Sequence, residues 1–175
     1  MSLSLENLTF IIVTFKSEHI IHECIKSLPE KSKIIVIENS NNTKLKYELE
    51  NTYQDIEVIL DQNKGMGSSN NKGLYLCQTD YAFVINPDVK FHKDTIQKLI
   101  DFSKIKNDYC ILAPILDDVS TPNYKINKEL IKNKSKEYFE ADSVDGFAML
   151  FNKSEFEDNK YFDENFFLYL ENDDL

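Results

Sequence analysis

Strand-like runs alternate with helix-like segments along residues 8–113, and this order is the strongest constraint on the fold. The runs are apolar, rich in β-branched residues and uninterrupted, and they lie at Leu8–Thr14, Lys33–Glu38, Ile56–Leu60, Tyr81–Ile85 and 109–113. Between them apolar residues recur at helical spacing, which predicts helices over 17–28, 68–77 and 94–105 and a weak helix around 45–49. Uninterrupted apolar runs are typical of strands covered on both faces. The sequence therefore predicts an α/β fold, with a mainly parallel sheet flanked by helices.

The later part of the chain has a less regular pattern. Residues 115–136 are polar and lysine-rich without a clear period, residues 144–151 are predicted to form a strand, and residues 161–170 are rich in aromatic side chains. The chain contains no internal repeat, and no stretch is rich enough in Gly or Pro to separate two domains. We therefore expect one domain over residues 1–175.

The charge of the chain is unevenly distributed. All 20 basic residues are lysines, and the formal net charge is -10. Residues 137–175 hold twelve of the 30 acidic residues but only two of the lysines. Nucleic-acid-binding proteins need a basic face and commonly use arginine, so we exclude nucleic acid as a partner. The acidic excess fits either a solvated surface or carboxylates that serve a cation or a proton transfer, and composition does not choose between them.

Cysteine usage and hydropathy favour a cytoplasmic protein. Cys24, Cys77 and Cys110 are odd in number and far apart, so they match neither a disulfide framework nor a metal-binding knuckle, and we interpret them as reduced core residues. No apolar run approaches the ~18 residues of a membrane-spanning helix. The start of the chain lacks the basic flank and the apolar length of a signal peptide.

Polar or glycine-bearing breaks follow four of the predicted strands directly. They lie at 14–15, 38–39, 63–67 and 86–88. In a parallel sheet the carboxyl ends of the strands meet at one edge, where ligands of open α/β sheets bind. We therefore expect these four breaks to surround the functional site.

Three of the four glycines lie in the segment NKGMGSSNNKG, residues 63–73. The segment is not a P-loop, because no Gly-Lys-Ser/Thr follows, and its glycine spacing does not match a dinucleotide fingerprint. Two interpretations stay open: an ordinary strand-to-helix turn, or a loop close to a nucleotide or sugar with Asn70 and Asn71 as hydrogen-bonding side chains.

Two acidic positions also allow two interpretations each. Pro87 stops the fourth strand and presents Asp88 at the sheet edge, where one carboxylate can hold Mg²⁺ or Mn²⁺ together with substrate phosphates. Asn-Pro-Asp is equally a common turn sequence. The acidic end at 171–174 is typical of a solvated tail, but it follows a run of large aromatic residues, which would anchor it to the core.

Six motifs follow one another along the chain: IIVTFKS, IENSNN, NKGMGSSNNKG, INPD, the strand at 146–150 and FDENFFLYLENDDL. In these motifs, and in their order and spacing, the chain from about residue 8 to its end resembles the inverting family 2 glycosyltransferases, and within them the rhamnosyltransferase-like branch. The resemblance implies a GT-A fold and the transfer of a sugar, with inversion, from a nucleoside diphosphate sugar to an acceptor hydroxyl.

The resemblance also implies roles for individual residues. The nucleotide-sugar-binding part is expected to cover about residues 8–113, and the acceptor and catalytic part about residues 137–175. Asp88 is the expected ligand of a divalent cation, Mg²⁺ or Mn²⁺, and Glu171 is the expected general base, with Asp173 and Asp174 as alternatives. The expected contacts to the nucleotide sugar are Thr14, Phe15, Glu38, Asn39, Asn63, Gly65, Asn70 and Asn86.

Three departures from the family pattern keep a second interpretation open. Glu38 replaces the usual Asp, Asn86 begins the Asp-x-Asp position, and Asn172 stands where an acidic residue often follows Glu171. The family also normally continues beyond the equivalent of Leu175, which suggests a truncated or naturally short form. The alternative is thus a degenerate domain that binds a nucleotide sugar without turnover. A nucleotidyltransferase is disfavoured, because FKSEH after the first strand has no glycine.

The resemblance also suggests partners and a location. The acceptor is expected to be a glycan or a lipid-linked sugar on the way to a cell-surface polysaccharide. We expect a cytoplasmic protein with peripheral contact at the inner face of the membrane.

Overall fold

The computed structural model describes residues 2–118, 120–126 and 138–168. Its strands are β1 (Leu8–Thr14), β2 (Lys33–Glu38), β3 (Ile56–Leu60), β4 (Tyr81–Ile85), β5 (Ile111–Leu112), β6 (Tyr124–Lys125), β7 (Ser143–Val144) and β8 (Ala148–Asn152). Its α-helices are α1 (Ile21–Lys26), α2 (Thr43–Thr52), α3 (Met66–Leu76) and α4 (Thr95–Ile105). Short 3-10 turns lie at Leu5–Asn7, Lys153–Glu155 and Glu157–Asn159.

The described residues form a six-stranded sheet in the order β3-β2-β1-β4-β8-β5, with β6 and β7 as a separate pair. Strands β1 to β4 pair with one another in parallel, whereas β8 is antiparallel to both β4 and β5. The prediction of a mainly parallel α/β sheet flanked by helices is therefore confirmed. The sequence did not reveal that a late strand inserts between β4 and β5.

The central strands are buried on both faces, as their uninterrupted apolar runs predict. Phe10 and Ile12 of β1 face a core layer that α1, α2 and α4 cover. Ile11 and Val13 face the opposite layer, which α3 and residues 161–162 cover. Gly73 of α3 packs directly on the side chain of Ile11, and a Cβ atom there would collide with it. This glycine lets α3 lie close to the sheet and places the start of the helix beside the end of β1.

Several predicted boundaries were wrong. The first helix begins at Ile21 rather than at residue 17, because the hydroxyl of Ser17 donates to the carbonyl of Phe15 at 3.1 Å and Lys16 has a φ of 55°. The fifth strand is shortened to Ile111–Leu112. The predicted strand over 144–151 is divided into β7 and β8, because the first pairs with β6 and the second with β4 and β5.

Two further expectations concern cysteine and membrane spans. Cys24 and Cys77 are buried as predicted, but Cys110 is exposed next to the short strand β5, so its interpretation as a core residue was wrong. None of the helices in the described ranges combines the length and the apolarity that crossing a bilayer requires.

Candidate functional site

The carboxyl ends of the parallel strands meet at one edge of the sheet, as the strand-end breaks predicted. Thr14 at the end of β1 lies opposite Glu38 at the end of β2, and the backbone N–H of Asn39 donates to the carbonyl of Thr14 at 2.8 Å. On the other side of β1, Ile12 pairs with Ile85, the last residue of β4. This pairing brings the 86–88 turn to the same edge as the ends of β1 and β2.

Thr14 and Asn39 each carry a buried, unsatisfied polar atom at this edge of the sheet. The side chains are only 1% and 5% exposed. Thr14 Oγ1 and Asn39 Oδ1 nevertheless have no hydrogen-bond partner among the described residues. Buried polar atoms are almost always paired, because an unpaired one costs about 1–3 kcal/mol. Two such atoms at the ends of neighbouring strands are typical of a ligand wall.

A short hydrogen-bond chain fixes which atom Asn39 presents. Its Nδ2 donates to Ser69 Oγ at 2.7 Å, and Ser69 Oγ donates to the carbonyl of Gly65 at 2.8 Å. A serine hydroxyl has only one hydrogen, so once it is given to Gly65 the Asn39 amide must donate to Ser69. The free atom is therefore the carbonyl oxygen of Asn39, an acceptor that suits a ligand N–H or O–H.

Glu38 is fully buried and its carboxylate binds the loop that follows β2. Oε1 accepts from the N–H of Ser40 at 3.1 Å and from its hydroxyl at 2.5 Å. Oε2 accepts from the N–H of Asn42 at 2.5 Å. These bonds account for a carboxylate at the end of an apolar strand, and they hold Asn39 in place. A nucleotide contact through Glu38 stays a prediction.

The glycine-bearing segment turns sharply before α3. Gly65 has a φ of 106°, in the region that favours glycine, and its N–H donates to Asn63 Oδ1 at 3.1 Å. Asn63 is exposed, whereas Asn70 is buried on α3. Phe15, directly after Thr14, is half-exposed, with Lys16 Nζ 5.2 Å from the centre of its ring. Phe15 thus follows β1 directly, Asn63 and Gly65 lie in the loop between β3 and α3, and Asn70 lies on α3 itself.

Asp88 lies in the exposed turn after β4, at one end of a groove. The groove has a volume of about 430 Å³, and its lining includes Phe91, His92, Ile115 and Phe147. Lys90, two residues beyond Asp88, has its ammonium 3.4 Å from Glu23 on α1 and is thus engaged elsewhere.

Within the described ranges no group of three His, Cys, Asp or Glu side chains forms a metal site. A Mg²⁺ or Mn²⁺ ion in such enzymes needs only one or two protein carboxylates when phosphates supply the other ligands. The exposed carboxylate of Asp88, with the side chain of Asn86 two residues before it, fits that donor set.

Residues 162–168 fold back against α3. Phe162 is buried, and its backbone is bound by the side chain of Asn71 through bonds of 2.8 and 3.0 Å. The N–H of Met66 donates to the carbonyl of Phe167 at 2.9 Å. The predicted anchoring of the aromatic run to the core is confirmed at Phe162, whereas the side chain of Phe167 is 58% exposed and that residue is held through its backbone. The three candidate bases, Glu171, Asp173 and Asp174, lie outside the described residues.

Sequence reasoning missed Ser69 and the role of Asn71. Ser69 lies among several small polar residues, and the sequence carries no signal that distinguishes it. Asn71 was expected only as a hydrogen-bonding side chain near a nucleotide or sugar, whereas it binds the chain at Phe162, 91 residues away.

The sequence matches one family over most of its length. The match covers residues 9–159, to the family described as glycosyl transferase family 2. A relative, the low-salt glycan biosynthesis hexosyltransferase Agl10 of Haloferax volcanii, is 25% identical over 185 aligned residues, which include 95% of this chain. The chain spans 59% of the length of that relative.

Solved structures share the fold. TarS of S. aureus (residues 1–349) superposes with a TM-score of 0.70 at 15% identity, covering 95% of this chain and 53% of TarS. Mannosyltransferase PcManGT of Pyrobaculum calidifontis, in complex with GDP-Man and Mn²⁺, gives a TM-score of 0.69 at 12% identity, covering 91% of this chain and 48% of its own. The sheet and its flanking helices have the GT-A arrangement, and the chain belongs to glycosyl transferase family 2.

Proposed function

We propose that the protein transfers a sugar from a nucleoside diphosphate sugar to an acceptor hydroxyl. The observation that carries the proposal is the pair of unsatisfied buried atoms, Thr14 Oγ1 and Asn39 Oδ1, at the ends of β1 and β2. The free acceptor on Asn39 suits the ring N–H of a uracil, thymine or guanine base, and the Thr14 hydroxyl can bond a base or ribose oxygen. Binding would supply the partners that these atoms lack among the described residues.

The relatives support this class of donor. TarS has been solved in complex with UDP and with UDP-GlcNAc, and PcManGT with GDP-Man and Mn²⁺. Both uracil and guanine carry a ring N–H, so the Asn39 carbonyl accepts either base. Phe15, Glu38, Asn63, Gly65, Asn70 and Asn86 complete the proposed nucleotide-sugar contacts, within a donor-binding part of about 8–113.

Asp88 is the proposed ligand of the divalent cation. When bound, a cation there offsets the negative charge of the departing diphosphate, which no arginine of this chain can do. The turn holds Asp88 at the sheet edge where the diphosphate of a nucleotide seated on Thr14 and Asn39 would end.

The groove beside Asp88 is the proposed entrance of the acceptor, a glycan or a lipid-linked sugar. The bond between C1 of the sugar and the phosphate oxygen breaks while the acceptor oxygen attacks C1 from the opposite face, which inverts the configuration. A carboxylate takes the proton of the acceptor hydroxyl. Glu171 is our first choice for this base, with Asp173 and Asp174 as alternatives, in an acceptor part of about 137–175. A cytoplasmic location at the inner membrane face belongs to the same proposal.

Calorimetry with UDP, GDP and dTDP in the presence of Mn²⁺ tests the donor site. Thr14→Val should weaken binding by about 1–3 kcal/mol without lowering the stability of the free protein, because Oγ1 has no hydrogen-bond partner among the described residues to lose. The control is Thr9→Val on the same strand, whose hydroxyl lies 2.8 Å from that of Thr79 at the opposite sheet edge. This variant should lose stability and keep its nucleotide affinity.

Turnover separates an enzyme from a degenerate binding domain. Release of UDP or GDP from the corresponding nucleotide sugar should fall by about 10²–10⁴-fold in Glu171→Gln, with donor affinity retained. Binding without release in the wild-type full-length protein would favour the non-catalytic alternative. Absence of binding to all three nucleotides would refute the proposed function.

A further inference from the structure

The side-chain amide of Asn71 on α3 is saturated by the chain that follows Tyr161. Asn71 Oδ1 accepts from the N–H of Phe162 at 3.0 Å, and Nδ2 donates to the carbonyl of Phe162 at 2.8 Å. The second Nδ2 hydrogen goes to Glu164 Oε1 at 3.1 Å. The amide therefore pairs with the backbone of Phe162 as a neighbouring strand would. No other side chain of similar size offers both an acceptor and two donors.

These bonds are formed where water cannot replace them. Asn71 is 2% exposed and Phe162 is 5% exposed. If the amide were removed, the N–H and the C=O of Phe162 would be left buried without partners. The side chain of Phe162 packs in the core layer beneath α3. Asn71 thus fixes the backbone of this segment, and not only its side chains, to the helix.

A second anchor lies one and a half turns earlier on the same helix. The N–H of Met66, the first residue of α3, donates to the carbonyl of Phe167 at 2.9 Å. Gly65 contacts the backbone of Phe167 so closely that a Cβ atom would lie 2.8 Å from its Cα. Residues 162–167 are therefore held at both ends, by the side chain of Asn71 within α3 and by the backbone at the N-terminus of α3.

The same turns of α3 also support the donor wall, which consists of Thr14 and Asn39 at the ends of β1 and β2. Ser69 lies between Met66 and Asn71 on the helix, and its hydroxyl fixes the orientation of the Asn39 amide. Gly65 takes part in both systems, because its carbonyl accepts from Ser69 Oγ and its backbone contacts Phe167. The start of α3 thus contacts both the donor wall and residues 162–168.

We propose that Asn71 is a positioning residue, which holds the chain leading to the acidic end at 171–174 in a fixed relation to the donor wall. The inference rests on the proposed function, in which that end supplies the general base. Asn71 contacts neither the nucleotide nor the reacting atoms in this arrangement; it acts through the backbone of Phe162. Transfer of the acceptor proton is sensitive to displacements of about 1 Å, so the proposed base depends on the position of that backbone.

The test uses the full-length protein with Asn71→Leu and Asn71→Asp. Leucine removes all three bonds, whereas aspartate keeps the acceptor and loses the donors. The matched control is Asn51→Leu, an exposed helical asparagine of α2 whose amide binds only the carbonyl of Tyr47. Three quantities are measured: hydrogen exchange of peptides covering 161–168, affinity for UDP–Mn²⁺ and GDP–Mn²⁺, and release of the nucleotide from its sugar.

Both Asn71 variants should exchange the amide hydrogens of 161–168 about tenfold faster or more, with β1 and β2 unchanged. The turnover number should fall by about 10²-fold, with nucleotide affinity and the KM for the donor unchanged. Asn51→Leu should alter none of these quantities. Unchanged exchange at 161–168, or a loss of nucleotide affinity as large as the loss of turnover, would overturn the proposal.

This design separates two kinds of failure. A wild-type protein that binds nucleotide and releases none would refute the catalytic proposal, and the positioning role with it. A wild-type protein that turns over, with Asn71 variants that exchange faster but turn over normally, would refute the positioning role alone.

Discussion

Phe167 packs its backbone directly against Gly65: its carbonyl oxygen lies 2.5 Å from the position that a Cβ atom of residue 65 would occupy. The φ of 106° at Gly65 adds a second reason for glycine, since other residues rarely adopt it. Two independent constraints therefore meet at one position of the NKGMGSSNNKG segment. The chain has only four glycines, and the one at position 65 allows two distant parts of the chain to approach each other closely.

Gly65→Ala should destabilise the protein by about 1–3 kcal/mol, because the backbone is strained and Phe167 must move away. The carbonyl of Phe167 would then lose its bond to Met66, and peptides covering 161–168 should exchange faster. Urea unfolding and hydrogen exchange measure the two effects. The exposed neighbour Lys64→Ala should change neither, and an unaltered Gly65→Ala variant would contradict the packing described.

Glu38→Gln separates a loop-fixing role from a nucleotide contact. The amide of glutamine has only one acceptor oxygen. It can bind either the donors of Ser40 or the N–H of Asn42, and the other residue is left without a partner in a buried site. Stability should fall by about 1–3 kcal/mol. Ser40→Ala removes only the bond between the Ser40 hydroxyl and Glu38 and keeps the backbone N–H bond, so it should cost less. If nucleotide affinity falls while stability does not, Glu38 contacts the ligand and the loop bonds are secondary.

Asp88→Asn should abolish the part of nucleotide affinity that depends on Mn²⁺ and leave the melting temperature within a few degrees. An exposed turn contributes little to stability, whereas a cation held by phosphates and one carboxylate loses its protein ligand. Calorimetry with and without EDTA measures the difference. Asp55→Asn, an exposed position with a φ of 54° at the opposite sheet edge, is the control. Equal affinity with EDTA for wild type and Asp88→Asn would exclude the metal role.

The ion pair between Lys72 and Asp61 predicts a pH dependence of stability. Lys72 Nζ lies 2.7 Å from Asp61 Oδ2, and its hydrogen bond is the main reason that the pKa of Asp61 is lowered. A carboxyl with a lowered pKa in the folded state stabilises the protein above its unfolded pKa of about 3.9, and this contribution is lost as the pH falls towards the folded pKa. Lys72→Met should therefore cost about 0.5–1 kcal/mol at neutral pH, because the pair is partly exposed.

That cost should shrink as the pH falls below about 3.9 towards the lowered folded pKa of Asp61, because the carboxylate that Lys72 binds is then progressively protonated. Urea unfolding of wild type and Lys72→Met across this range gives the comparison. Lys44→Met, an exposed residue of α2, should show no such pH-dependent difference. A cost that is constant with pH would mean that Lys72 stabilises the protein through its apolar stem.

The three cysteines should differ in reactivity. Cys110 is exposed, whereas burial raises the pKa of Cys24 to about 12, with the nearby charge of Asp88 as a smaller cause. Cys77, directly after α3, is buried. In the folded protein we expect one thiol to react rapidly with Ellman's reagent at about pH 8, and all three to react in denaturant. Cys110→Ser should remove the fast phase, and a fast phase that persists would show that a buried thiol is accessible.

What the sequence predicted correctly was local. Apolar runs such as Leu8–Thr14 define buried strands by themselves, and polar residues directly after them mark the sheet edge. The contacts between Asn71 and Phe162, and between Gly65 and Phe167, join segments about a hundred residues apart and have no local pattern. The same holds for β8, since its apolar run fits a strand of either direction. For Glu38 the sequence indicated only a costly carboxylate at the end of an apolar strand. Its bonds to Ser40 and Asn42 depend on the backbone path of the loop, which has no local pattern.

The place of β8 between β4 and β5 determines the order in which the sheet is completed during synthesis on the ribosome. Strands β1 to β4 can pair as soon as residues up to Ile85 have emerged, but the outer edge of β4 has no neighbour until Ala148–Asn152 follows. An unpaired strand edge is a template for pairing with another chain, and contacts distant in sequence form late. The nascent protein therefore passes through a stage with an open β4 edge, and the arrival of β8 ends its exposure to edge-to-edge association.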